Sequence, residues 1–181
     1  MGFFDKDFRE ILSSQTVSVI IGLVAGTILA LYTDQILLIP GMLIILPGFL
    51  EMRGNISGSF ACRLSSGLFL GVVNPDKLNT RLTRGNMIAS FAMVLVLTSV
   101  IGILAFIFTY MAFNIIVIKL LLLPVIAGVI ANAIEIPLTL FMTFYLFRKG
   151  HDPNNIMGTI VTSTGDITSI ISLLVAILVM T

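Results

Sequence analysis

Apolar positions along the chain gather into long runs, and the joints between the runs are short and polar. A bilayer core of about 30 Å takes about 20 apolar residues of helix. By that measure a first crossing extends from Thr16 to Tyr32 and stops at Thr33-Asp34-Gln35. The next apolar region, Ile36 to Val73, is too long for one ordinary crossing and carries Glu51, Arg53, Asn55 and Arg63 within it. That interruption predicts one long bent helix or two half-helices. The segment NPDKLNTRLTRG (74–85) closes the region, and a clean third span follows from Met87 to Met111. Asn114 to Phe147 is again overlong, punctuated by Lys119, Pro124, Asn132, Glu135 and Pro137, and after RKGHDPNN a last helix runs from Pro153 to Thr181. The pattern predicts an all-α integral membrane bundle of five transmembrane helices with a bent or broken second helix.

Ahead of the first crossing, Phe3, Phe4, Phe8, Ile11 and Leu12 recur near helical spacing against Asp5, Lys6, Asp7, Arg9 and Glu10. This predicts a cytoplasmic, interfacial amphipathic helix over residues 1–15, followed by a membrane domain over residues 16–181. Lysine and arginine near the ends of crossings tend to stay in the cytoplasm. Lys6 and Arg9 precede the first helix, Lys77, Arg81 and Arg84 separate the second from the third, and Arg148 and Lys149 separate the fourth from the fifth. The joints at residues 33–36 and 111–115 carry neither. Five crossings with that alternation place the N-terminus inside and the C-terminus outside.

Composition agrees with the pattern. Hydrophobic residues make up 57% of the 181 positions and charged ones 10%, with a mean hydropathy of +1.12, which leaves too little polar surface to cover a water-soluble globule. The expected location is the cell membrane, as a multi-pass protein with the lipid bilayer as its first partner. A net charge of +1 with no basic face gives no argument for nucleic acid. Cys62, the single cysteine, has no second cysteine to pair with. The opening MGFFDKDFREILSSQ mixes acids with bases and lacks the apolar core of a signal peptide.

An ionisable group at the bilayer centre costs roughly 2.5 to 3.5 kcal/mol even on the lenient insertion scale, so such groups line a pathway or pair with each other. Glu51, Arg53, Arg63, Glu135 and Asp166 are in that position. Glu51 and Arg53 read either as polar groups beside a pathway or as an ion pair that fixes packing. Arg53, Arg63 and Glu135 are candidates for structural ion pairs, with Arg63 clamping a carboxylate or exposed carbonyls. In the last helix Thr159, Thr162, Asp166 and Ser169 share a face at a period of 3.6 residues, with Ser163 beside them. No base occurs in that helix, so Asp166 must find an arginine elsewhere, a proton or a cation. Asp152 is a candidate N-cap with Pro153 at the first helical position.

One carboxylate among hydroxyls suits a hydrated Mg²⁺ better than a dehydrated Ca²⁺ cage, which needs more acids. Na⁺ or H⁺ would be served by the same residues. His151 and Cys62, each isolated, argue against Zn²⁺ or Cu⁺. There is no HExxH, no GxSxG, no P-loop and no histidine within a span, so an enzyme is not expected, nor is an organic cofactor.

Two stretches, PGFLEMRGNISGSFACRLSSGL (47–68) and GHDPNNIMGTIVTSTGDITSI (150–170), resemble the two signature regions of the divalent-cation transporter domain of the MgtE and solute-carrier 41 magnesium transporters. Asp152, Pro153, Asn155, Thr162, Ser163, Gly165 and Asp166 fall in register with the second. The resemblance implies a five-helix unit with its N-terminus inside, and a pore where the second and fifth helices of two such units meet. It implies Asp166 as the principal ligand of the transported Mg²⁺, with Thr162 and Asn55 supporting it and Glu51, Thr159, Ser163, Gly165 and Ser169 lining the pore. The bacterial members carry cytoplasmic Mg²⁺-sensing domains, for which the residues before Thr16 are too few, and the solute-carrier form joins two units in one chain. A single unit therefore implies a homodimer, or a heterodimer with a similar subunit.

The expectation is channel-like Mg²⁺ transport driven by the membrane potential. A Na⁺-coupled divalent-cation exchanger and a non-transporting assembly subunit are the alternatives.

Overall fold

The computed structural model describes residues 6–180, and among them the regular elements are all helices. The helices are α1 (Lys6–Leu31), α2 (Thr33–Leu37), α3 (Met42–Phe69), α4 (Arg81–Phe113), α5 (Lys119–Arg148) and α6 (Pro153–Met180). Four of them, α1, α4, α5 and α6, are long and apolar enough to cross a membrane. At 28 residues α3 matches α6 in length, but it carries Glu51, Arg53 and Arg63.

α1 runs without a break through the point at which the pattern separates a short helix over residues 1–15 from a span starting at Thr16. Residues 1–5, which supply Phe3 and Phe4 of the amphipathic pattern, lie outside the described residues. Only Glu10, Ser14 and Ala25 of α1 are buried, and its apolar side chains face outward, Leu23 with 69% of its surface exposed.

The break in the second apolar region falls ahead of the charged residues that interrupt it. Pro40 and Gly41 make it, because proline lacks an amide hydrogen to continue a helix and Gly41 takes φ 90°, which only glycine adopts at little cost. From Met42 onward α3 is continuous, passing through Pro47, Gly54 and Asn55.

α3 is the central helix. It packs on α4, α5 and α6, whereas α1 packs on α6 and, at one end, on α2. Its first half sits in an apolar cluster with α4, α5 and the end of α6, including Ile45, Phe49, Val94, Leu123 and Leu173. Its second half joins Ile136 and Phe144 through Phe60 and Leu64. α4 and α5 approach closely at Gly102, where a Cβ would lie 2.7 Å from the carbonyl of Leu121.

The basic segments meet at one end of the bundle. Lys6 Nζ donates to the carbonyl of Gly150 at 2.5 Å, and Arg148 Nε donates to the carbonyl of Pro75 at 2.7 Å. At that end α6 starts as its sequence predicts, with Pro153 first in the helix and Asp152 Oδ1 accepting from the Asn154 amide at 2.8 Å. At the other end the α2–α3 and α4–α5 joints come together around a cleft of about 300 Å³ lined by Pro40, Leu43, Phe113 and Ile115.

Candidate functional site

α3 and α6 cross closely at Gly54, where a Cβ would stand 3.1 Å from Thr162 Cγ2. Each helix presents polar groups on its outward side near that crossing. On α3, Glu51, Asn55, Ser59 and Arg63 recur every fourth residue and are exposed, with Asn55 Nδ2 donating to Glu51 Oε1 at 3.1 Å. On α6, Gly158 and Thr162 are exposed and Asp166 is half-buried. The Thr162 hydroxyl donates to the carbonyl of Gly158, leaving its lone pairs free to face outward. Among the described residues Asp166 has no hydrogen-bond or ion-pair partner.

Behind this surface lies a buried pair. Arg53 and Glu135 are both fully buried, with Nη1 and Oε2 3.5 Å apart. Thr164 and Thr168 of α6 reach the two carboxylate oxygens of Glu135 at 3.2 and 3.3 Å. Each hydroxyl has one proton and also faces a backbone carbonyl, Ile160 for Thr164 and Gly165 for Thr168. The guanidinium lies against Gly165, in the volume a Cβ there would occupy. Its Nη2 donates to the carbonyl of Val161 at 3.3 Å.

The pairing of Glu51 with Arg53 does not form. Two residues apart on a helix, they point to opposite sides: Glu51 is outside with Asn55, and Arg53 is inside with Glu135. Arg63 pairs with no carboxylate either. It donates from Nε to Asn86 Oδ1 at 2.9 Å and from Nη2 to Ser90 Oγ at 3.5 Å, fastening α3 to α4. An open cleft of about 440 Å³ between those helices is lined by Glu51, Asn55 and Arg63 together with apolar Met93 and Leu97.

Of the other residues read from the last helix, Thr159 is half-buried, and Ser163, Gly165 and Ser169 are buried against neighbouring helices. Ser163 Oγ donates to the carbonyl of Thr159 at 2.7 Å. The face shared by Thr162 and Ser169 is thus outward at one end and covered at the other. Gly54, next to Asn55, crosses against Thr162, while Asp166 lies one turn along α6 from Thr162 and Glu51 one turn along α3 from Asn55.

Sequence reasoning missed Thr164 and Thr168. Their spacing of four residues is the available signal, since it puts two hydroxyls on one face, but Glu135 as their partner is a tertiary fact. It also missed the clamp at the basic end, where Glu10, with 7% of its surface exposed, accepts from His151 Nδ1 at 2.8 Å and from Asn155 Nδ2 at 3.3 Å. A charged residue and Ser14 turned inward on an otherwise outward-facing α1 mark the same contact.

Among the described residues no three or more His, Cys, Asp and Glu side chains are grouped to hold a bare metal ion. One carboxylate beside a hydroxyl and an amide fits an ion that keeps most of its water, as Mg²⁺ does. A family model described as MgtE, divalent cation transporter, matches residues 46–176. No curated protein and no solved structure matches the chain.

Proposed function

Because the chain belongs to the MgtE family of divalent cation transporters, we propose that it passes hydrated Mg²⁺ across the cell membrane through a path lined by α3 and α6, where two such units meet. Asp166 is the principal ligand, with Thr162 and Asn55 as oxygen donors to the ion or its water. Five helices cross, α1, α3, α4, α5 and α6, with the basic end of the bundle in the cytoplasm.

The observation that carries this reading is the outward polar surface at the α3–α6 crossing. Glu51, Asn55 and Thr162 are exposed and Asp166 is half-exposed, whereas the outward sides of the other long helices are mainly apolar, with Thr27 and Ser99 among their few exposed polar residues. Lipid would leave these groups unsatisfied. Water and a second unit, facing the same way, would not. The second unit is another copy of this chain or a similar subunit.

Inward flow needs no chemical fuel. With the inside negative, each elementary charge gains roughly 2.3 kcal/mol per 100 mV, and a divalent ion twice that.

The test is Mg²⁺ flux into proteoliposomes under an imposed inside-negative potential, comparing the native chain with Asp166→Asn at matched dimer content. Loss of flux with the one substitution supports the path at Asp166, and equal flux removes Asp166 from it. Flux that follows a Na⁺ gradient in place of the potential replaces the channel with an exchanger.

A further inference from the structure

The buried guanidinium of Arg53 is poorly satisfied for its surroundings. It has five N–H donors, yet Nε and Nη1 have no hydrogen-bond partner. The Glu135 carboxylate is 3.5 Å from Nη1, beyond the 2.7–2.9 Å of a good charge-assisted bond. The single hydrogen bond, from Nη2 to Val161, is long at 3.3 Å. Unmade bonds of a buried cation are costly, and a second carboxylate is the group best able to make them.

That second carboxylate is Asp166. The guanidinium rests on Gly165, the residue immediately before it. Glu135 faces Thr164 and Thr168, two residues either side of Asp166 and so on the side of α6 turned away from it. One cation therefore stands between two acids, one tethered and enclosed, the other turned toward the outward polar surface.

We propose that Arg53 is a built-in competitor of the transported cation: held on Glu135 it leaves Asp166 open, and released from Glu135 it occupies Asp166 in the ion's place. Glu135, Thr164 and Thr168 are then positioning residues for ion affinity, acting through Arg53. The arrangement rests on the reading of Asp166 as the ion ligand. It adds a term that the ligands alone do not contain, since apparent affinity falls with the fraction of molecules whose carboxylate is already taken.

The experiment measures, in purified protein, the Mg²⁺ concentration that half-saturates flux into proteoliposomes, and the concentration that half-saturates thermal stabilisation in detergent. Glu135→Gln keeps the shape of the side chain and removes the charge that holds Arg53. If nine-tenths of the molecules then have Arg53 on Asp166, both half-saturating concentrations rise about tenfold, with the maximal rate retained. Thr168→Val, a milder release, shifts them in the same direction by less. Adding Arg53→Gln to Glu135→Gln removes the competitor and restores the native value, which a merely structural role for the pair would not do. Unchanged half-saturation in both Glu135→Gln and Thr168→Val, or a rise that Arg53→Gln does not reverse, overturns the proposal. Native flux and stabilisation in Asp166→Asn, or neither response to Mg²⁺ in the native chain, overturns the site reading and the competitor with it. Those two arms use no variant of Arg53 or Glu135, so the two failures are distinct.

Discussion

Arg53 on α3 and Gly165 on α6 share one volume: the guanidinium fills the space that a side chain at position 165 would take. Gly165→Ala must therefore displace the whole guanidinium from Glu135 and from the Val161 carbonyl. Overpacking of this kind costs about 1–3 kcal/mol, and the lowered stability is expected in thermal or denaturant unfolding of the purified protein. A melting temperature equal to that of the native chain would show that Arg53 has room to spare.

Removing the cation and leaving the acid is expected to be worse than removing both. Arg53→Met strands Glu135 in a fully buried position, a loss of about 3–5 kcal/mol. Arg53→Met combined with Glu135→Leu should be markedly more stable than Arg53→Met alone. Equal stability of the two in parallel unfolding curves would mean that Glu135 is solvated by water reaching the bundle interior.

Cys62 offers a native reporter for the face proposed to meet a second unit. It is exposed on α3, one turn from Ser59 and Ser66 on the outward polar side. A short thiol-to-thiol cross-linker applied to membranes should yield a species of twice the chain mass, absent in Cys62→Ser. If the two-chain species survives that substitution, or never forms while dimers are present by light scattering, the shared face lies elsewhere.

Glu10 ties the start of α1 to the α5–α6 joint and the start of α6 through His151 and Asn155. Glu10→Ala should cost about 1–3 kcal/mol of local stability, the usual range for a lost buried acceptor. Hydrogen exchange should quicken in the first turns of α1 and in residues 150–156, with the core of α3, α4 and α5 unchanged. Uniform acceleration across all helices would make the clamp part of the global fold.

How much of this was legible in the sequence depends on whether the cause is local. The apolar runs, the Asp152-Pro153 helix start and the unpaired Asp166 are local facts, and the structure has them where the residues point. The second run reads as interrupted at its charged residues, whereas Pro40 and the left-handed Gly41 stop the helix ahead of them. Within a long helix Gly54 serves a close crossing with Thr162 and not a bend. Arg53 and Glu135 were both legible as candidates for structural ion pairs, but pairing them with each other was not a local fact. Helical spacing excludes Glu51, but choosing Glu135 requires knowing that α5 lies beside α3, which no periodicity states.

The packing of α1 bears on the order in which the protein is assembled. α1 packs chiefly on α6 and, at one end, on α2. About 120 residues separate the end of α1 from the start of α6, which at 5–20 residues per second is roughly 6–24 s of translation. Throughout that interval α1 is made without the helix it packs on, and α6 is the one that brings it in.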